Sequence, residues 1–212
     1  MERDRRDLFR SLRRKIGDER VIAGMERVPR EAFVPSESRY LAYKDIALSI
    51  GQEQTISQPY IVALMTSCLG LQGSERVLEV GTGSGYQAAV LSHLVPRGHV
   101  LTVERIPALA ERARVELLRL GCDNVEVRVD RHVLGCPDRG PFDAIIVTAA
   151  APALPYTLMD QMATGGRMVI PVGTRLQQEL VRVLRTDEGP SVSLLGPCRF
   201  VPLIGPDAWP EE

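Results

Sequence analysis

The sequence predicts an α/β fold with a doubly wound, mostly parallel sheet. From residue 76 onward, apolar stretches of strand length alternate with stretches of helical period, which is typical of repeated β-α-β units. The first of these strands runs directly into three glycines spaced two residues apart, Gly81, Gly83 and Gly85. Ligands of such folds bind at the carboxyl ends of the strands, so this glycine turn marks the expected binding edge.

The N-terminal part is predicted to be helical and then irregular. Residues 2–16 place apolar side chains at helical spacing between many charged ones, which predicts an amphipathic helix with a solvated face. Asp18 is positioned to cap a second helix, which ends at Val28 and Pro29. The segment 30–54 has no steady period, and we expect it to be a long irregular cover over the domain.

From Ser57 onward the pattern becomes regular. A helix is predicted near Pro59, which is tolerated in a first helical turn, with Ser57 or Gln58 as the N-cap. The elements predicted next are strand 76–80, helix 84–95, strand 99–103, helix 107–120, strands 125–129 and 142–148, helix 155–163 and strand 167–172. Three further short strands without intervening helices are predicted to add antiparallel at one edge of the sheet: 179–185, 192–195 and 199–203.

Length and composition limit the classes of protein to consider. The 212 residues suffice for a single domain, in which we expect 1–56 to be an N-terminal extension and substrate cover and 57–212 the α/β core. A formal net charge of −1 gives no electrostatic reason to expect nucleic acid as a partner. No apolar run reaches the ~18 residues of a membrane span, and the charged N-terminus is unlike a signal peptide, so we expect a cytoplasmic protein without a membrane partner. The spacing of the cysteines and histidines predicts no metal site.

The glycine turn and Glu104 together indicate an adenosine-containing cofactor. Glu104 stands at the end of the strand after the turn, where a carboxylate can accept hydrogen bonds from both ribose hydroxyls. A dinucleotide fingerprint would need glycine at the position of Tyr86, so NAD and FAD are disfavoured. A turn whose glycines are only structural remains an alternative.

Further segments carry a resemblance to a known family. The pattern of Glu79, Gly81, Gly83 and Gly85 resembles the first motif of S-adenosylmethionine-dependent methyltransferases, which have a Rossmann-like fold. In order along nearly the whole chain, the sequence resembles the protein-L-isoaspartate O-methyltransferases in residues 28–30, 33–35, 54–59, 77–86, 103–105, 141–150, 165–167, 171–173 and 199–203. The Thr-Ile-Ser-Gln-Pro segment and the C-terminal Arg-Phe-Val-Pro-Leu segment are the most specific to that family.

The resemblance implies a repair reaction with S-adenosylmethionine as cofactor. The family methylates the free α-carboxylate of L-isoaspartyl residues in damaged proteins and peptides, and the ester can return to aspartate through a succinimide. It implies that Ser57 is the active-site serine, although its hydroxyl could instead cap the following helix. The cofactor residues implied are Glu79, Gly81, Thr82, Gly83, Gly85, Glu104 and Asp130, and the substrate residues are Thr55, Ile56 and Val201. A monomer is expected.

One segment departs from the family pattern. Where the family usually has Gly-Asp-Gly beside the adenine, this chain has Asp130-Arg131-His132, so the adenine contact of Asp130 is open to question. Two other functions therefore stay open: a carboxyl methyltransferase that acts on another peptide or small acid, and a non-catalytic protein with a degenerate cofactor site.

Overall fold

The structure is a computed structural model that describes residues 1–211. Its α-helices are α1 (Glu2–Ile16), α2 (Glu19–Arg27), α3 (Pro59–Cys68), α4 (Tyr86–Leu94), α5 (Pro107–Arg119) and α6 (Tyr156–Asp160). Its strands are β1 (Leu48–Gly51), β2 (Gln54–Ile56), β3 (Arg76–Val80), β4 (His99–Glu104), β5 (Val125–Val129), β6 (Phe142–Val147), β7 (Met162–Gly173), β8 (Gln178–Thr186) and β9 (Gly189–Cys198).

Seven strands form one central sheet in the order β5-β4-β3-β6-β7-β8-β9. The first five strands in this order pair in parallel, whereas β8 and β9 are added antiparallel to β7. The chain order reverses between β3 and β6, and such a switch point opens a crevice beyond the carboxyl ends of the strands. The predicted fold class, including antiparallel additions at one edge, is confirmed.

The N-terminal helices pack onto one face of this sheet. Asp18 caps α2 by accepting a hydrogen bond from the amide of Val21 at 3.2 Å, as predicted. Ile22 and Met25 are completely buried in the same apolar cluster as Ile146 of the sheet. Truncating either side chain to alanine would cost about 2–5 kcal/mol, so the extension is firmly attached to the core. In the described part of the chain, the other face is covered by α6, a short 3-10 helix at Pro137–Arg139 and irregular segments.

The segment 30–54 is more ordered than predicted. It contains two short 3-10 helices and then β1, which forms an antiparallel hairpin with β2. The turn of this hairpin has positive φ at Gln52 (55°) and Glu53 (57°). The two central positions of such turns usually hold Asn and Gly, and with Gln and Glu there the sequence carries no hairpin signal.

Two predictions for the C-terminal part are wrong. The helix predicted over 155–163 ends at Asp160, because the chain from Met162 already belongs to β7. Residues 199–203 do not pair with β9. Instead, the Gln178 side chain accepts a hydrogen bond from the Phe200 amide at 2.7 Å and donates one to its carbonyl at 3.2 Å. This contact turns the chain away from the sheet edge and across the carboxyl end of β6.

Candidate functional site

A cleft of about 740 Å³ opens at the carboxyl ends of β3, β4 and β6. The hairpin of β1 and β2 and the C-terminal segment 201–206 also line it. The predicted site residues that line this cleft are Thr55, Ile56, Ser57, Glu79, Gly81, Thr82, Gly83, Glu104, Asp130 and Val201. Gly85 does not line it. That glycine is the N-cap of α4 with φ 89°, and an added Cβ would lie 3.1 Å from the Cβ of Ala113, so its absent side chain allows α4 and α5 to pack closely.

The glycine turn is fixed by the strands on both sides of it. The amides of Gly81 and Thr82 donate to the carbonyl of Val103 at 2.9 and 3.3 Å. The Thr148 hydroxyl donates to the carbonyl of Gly81 at 2.6 Å, and a Cβ on Gly81 would lie 2.4 Å from the Thr148 Oγ1. With φ at 99°, position 81 therefore requires glycine for both space and backbone conformation.

Glu79 is completely buried beneath the turn, and neither of its carboxylate oxygens has a hydrogen-bond partner within residues 1–211. The nearby Thr102 hydroxyl is paired with that of Thr82 at 2.6 Å. Burial raises the pKa of Glu79 to about 8, because removing the charged carboxylate from water is unfavourable; the Thr102 hydroxyl lies near enough to oppose this shift, and the Glu104 carboxylate adds to it. A buried acceptor without a donor, on the wall of a cleft, is a group that a cationic ligand can satisfy.

Glu104 is nearly buried and is oriented by two main-chain amides. Its Oε2 accepts from Gly83 at 2.9 Å, and its Oε1 accepts from Ile106 at 2.9 Å. A carboxylate has about four acceptor positions, so both oxygens keep the capacity to accept from hydroxyl groups in the cleft. The contact with Gly83 also connects the end of β4 to the glycine turn.

Asp130 forms a local turn that does not require the two glycines of the Gly-Asp-Gly pattern. Its Oδ1 accepts from the amides of His132 at 2.7 Å and Val133 at 3.1 Å, while its own amide donates to the carbonyl of Glu104 at 3.1 Å. Among the described residues, positive φ occurs at neither Arg131 nor His132. The side-chain turn of Asp130 thus holds this loop in a conformation open to ordinary residues.

Ser57 precedes α3 but does not cap it. The N-cap is Gln58, without a side-chain bond, and the amide of Tyr60 is instead bound by Oδ1 of Asp45 at 2.8 Å. The carbonyl of Ser57 accepts from Nη2 of Arg30 at 2.7 Å. Because a distant aspartate satisfies the helix end, the half-buried Ser57 hydroxyl is available to the cleft.

Main-chain bonds hold the segment around Val201 beside the end of β6. The carbonyl of Val201 accepts from the Ala150 amide at 2.8 Å, and the Leu203 amide donates to the Ala150 carbonyl at 2.8 Å. On another wall, Thr55 is exposed and Ile56 is buried in β2. Two extended segments from distant parts of the chain therefore border the same cleft.

Sequence reasoning assigned no role to several residues of the site. Thr148, which fixes the glycine turn, directly follows β6, and its place at a strand end beside the turn was the available signal. Arg175 lines the rim with its guanidinium 5.2 Å from the centre of the Trp209 ring, and nothing in the local sequence indicates this contact.

Within residues 1–211, no group of three or more His, Cys, Asp or Glu is arranged to hold a metal ion. No helix in the same range is long and apolar enough to cross a membrane.

Comparisons with known proteins agree on one family. The family model described as protein-L-isoaspartate(D-aspartate) O-methyltransferase matches residues 3–208. The protein-L-isoaspartate O-methyltransferase 1 of Syntrophobacter fumaroxidans is 53% identical over 98% of this chain and 96% of its own length. The protein-L-isoaspartate O-methyltransferase of Methanoculleus marisnigri is 48% identical over 100% of this chain and 95% of its own length.

Solved structures give the same result. One protein-L-isoaspartate O-methyltransferase superimposes with a TM-score of 0.82 and 32% identity, covering 93% of this chain and 65% of that chain. A protein from Plasmodium falciparum, described as a putative protein-L-isoaspartate O-methyltransferase in complex with S-adenosyl-L-homocysteine, superimposes with a TM-score of 0.78 and 25% identity. It covers 93% of this chain and 96% of its own.

Proposed function

The chain belongs to the protein-L-isoaspartate(D-aspartate) O-methyltransferase family, and we propose that its cleft transfers a methyl group from S-adenosylmethionine to the α-carboxylate of isoaspartyl residues. The substrates are proteins and peptides that contain this damaged residue, and methylation begins their repair. The observation that supports this function best is that one cleft collects the glycine turn, Glu104 and Ser57 from three separate parts of the chain.

The residues of the cleft fit the cofactor. S-adenosylmethionine supplies an activated methyl group on a positively charged sulfonium. The unpaired carboxylate of Glu79 is suited to accept from the ammonium group of the methionine part, and Gly81 leaves main chain open where a side chain would collide with Thr148. Glu104 would accept hydrogen bonds from the ribose hydroxyls, and Oδ2 of Asp130 would accept one from the adenine amino group.

The substrate needs no strong general base. An α-carboxyl group has an ordinary pKa of about 3.5, so the group that accepts the methyl is already ionised at neutral pH. The tasks left to the protein are to remove water from the carboxylate and to align it. Ser57 would donate its hydroxyl hydrogen to one carboxylate oxygen, which leaves the other oxygen free to react.

The peptide on either side of the isoaspartyl residue would lie between the two extended segments of the cleft. Thr55 and Ile56 on β2 and Val201 opposite offer main-chain groups, which bind a peptide without demanding a particular sequence. Recognition through the backbone suits an enzyme whose damaged targets share only an isoaspartyl linkage. A monomeric state and a cytoplasmic location remain predictions.

Methyl transfer to matched peptides tests the proposal. Protein and radiolabelled S-adenosylmethionine are incubated with an isoaspartyl peptide and with its aspartyl twin, and we expect label in the first and only background in the second. Equal labelling of both peptides would favour a carboxyl methyltransferase of other specificity. Calorimetry with S-adenosylhomocysteine completes the test, because cofactor binding without labelling of any acid would indicate a non-catalytic protein.

A further inference from the structure

Arg30 is one of the most deeply buried side chains of the molecule, with 1% of its surface exposed. Its Nε donates to the carbonyl of Ala42 at 2.9 Å, and its Nη2 donates to the carbonyl of Ser57 at 2.7 Å. The guanidinium lies over the ring of Tyr86, 4.9 Å from its centre, and Nη1 has no hydrogen-bond partner. Ser57 and Tyr86 both line the cleft, so Arg30 stands directly behind its wall.

Among the described residues, no carboxylate oxygen lies within 4.0 Å of the Arg30 guanidinium, although Asp45 acts on its charge from a greater distance. Ion pairs of 4.0 Å or less join many arginines to acids, but Arg30 is in none of them. An arginine stays protonated in proteins, and a buried charge without a counter-ion is unfavourable. A neutral donor could bind the same two backbone carbonyls at a lower cost in desolvation free energy. A charged arginine at this position is therefore best explained by an anionic ligand that binds in the cleft.

The cleft itself would otherwise repel an anionic substrate. Glu104 and Asp130 line it, and the proposed substrate carries a carboxylate. The arginines that line the cleft differ from Arg30 in their surroundings. Arg175 and Arg131 are exposed to water, which screens their charges, and Arg105 is paired with Glu211 at 3.0 Å.

We propose that Arg30 is a positioning residue for the substrate carboxylate. It fixes Ser57 through the main-chain carbonyl, and its positive charge, which no carboxylate contacts directly, draws the α-carboxylate of the isoaspartyl residue toward the Ser57 hydroxyl. This inference rests on the proposed function, and it explains how a cleft with acidic side chains selects an acid.

The test compares binding of two ligands by calorimetry to protein saturated with S-adenosylhomocysteine, which permits no turnover. One ligand is an isoaspartyl peptide, and the other is the same peptide with the α-carboxylate replaced by a neutral carboxamide. We expect the wild type to bind the acid more tightly. Arg30→Gln should reduce this preference by on the order of tenfold, as expected for the loss of one charge that acts through the cleft wall at an effective dielectric constant of about 20. Arg30→Lys should retain most of it.

Two control variants separate charge from general damage. Arg167→Gln removes another arginine that holds two backbone carbonyls, those of Leu69 at 2.7 Å and Gly70 at 3.1 Å, but away from the cleft. This variant should leave the ratio of acid to amide affinity close to that of the wild type. Arg175→Gln removes an exposed charge at the rim of the cleft and should lower the ratio less than Arg30→Gln does. Because this ratio is taken within one variant, a partial loss of folded protein cancels from it.

The inference is overturned if Arg30→Gln keeps the wild-type ratio, if Arg30→Lys loses as much as Arg30→Gln, or if Arg175→Gln produces the larger loss. Should Arg30→Gln fail to fold, equal binding of acid and amide by the wild type would overturn it as well. A failure of the proposed function is recognised separately, because the wild type would then not methylate the isoaspartyl peptide at all.

Discussion

Replacing Glu79 by Gln should stabilise the protein without cofactor at pH 8 while weakening its affinity for the cofactor. The pKa of Glu79 is raised from 4.5 to about 8 by burial. The folded state therefore keeps a proton that the unfolded state releases, so stability is fully present below about pH 4.5 and is lost as the pH rises to about 8. Glutamine has nearly the same shape and never ionises, so the variant does not lose this stability as the pH rises.

The raised pKa sets the size of the effect. A difference between 4.5 and about 8 corresponds to at most about 5 kcal/mol of stability above pH 8. Water entry and local relaxation reduce such penalties, so we expect the variant to gain about 2–3 kcal/mol over the wild type at pH 8. For a chain of this size that gain corresponds to a Tm rise of roughly 5–10 °C. At pH 4.5 the two proteins should differ little.

The assay is denaturant unfolding of both proteins from pH 4.5 to 9, with and without S-adenosylhomocysteine. Loss of a charged partner for the ammonium group of the ligand should weaken binding by about 1.5–3 kcal/mol, or roughly ten- to a hundred-fold. The ligand should therefore stabilise the wild type more than the variant. A variant whose stability follows the same pH curve as the wild type would refute the burial argument, and unchanged ligand affinity would refute the contact with the ammonium group.

Three other substitutions test the remaining site residues. Glu104→Ala should weaken cofactor binding by about 1–3 kcal/mol, and unchanged affinity in calorimetry would exclude the ribose contact. Ser57→Ala should keep the Tm and the cofactor affinity but lower methyl transfer to an isoaspartyl peptide by roughly ten- to a hundred-fold, whereas wild-type turnover would exclude a role in positioning. Restoring Gly-Asp-Gly at residues 130–132 should not improve affinity for S-adenosylhomocysteine, because the Asp130 turn already fixes the loop; tighter binding would show that the present residues impair the adenine site.

The sequence predicted those parts of the fold whose signals are local. Asp18 caps α2 because its own side chain reaches the first turn, and alternating periods located the strands of the parallel sheet. The hairpin of β1 and β2 was missed because the two central positions of its turn hold Gln52 and Glu53 in place of Asn or Gly. Residues 199–203 have the composition of a strand, but the side chain of Gln178, more than 20 positions away in the sequence, determines where they lie.

The candidate site shows the same limit. The glycine turn and Glu104 could be found because each follows a strand with a clear pattern. Whether the Ser57 hydroxyl caps α3 or faces the cleft could not be predicted from the sequence. The answer depends on Asp45, which accepts a hydrogen bond from the Tyr60 amide from another loop. Contacts between segments distant in sequence produce no regular spacing of residues, so only the three-dimensional structure reveals them.

Buried ionisable groups with unpaired atoms connect these observations to function. Within residues 1–211, unpaired buried side-chain atoms occur at Glu79, Arg30, His99 and Arg182, and the first two lie on or directly behind the wall of the cleft. Arg30 is positively charged, and Glu79 becomes negatively charged when it releases its proton to pair with a cation; the two reactants are likewise an anionic carboxylate and a cationic cofactor. A fold that had only to be stable would have replaced both by apolar side chains. Their unpaired atoms, on and behind the wall of one cleft, are therefore best explained by ligands that interact with them, and stabilising either position should come at the expense of the affinity for one reactant.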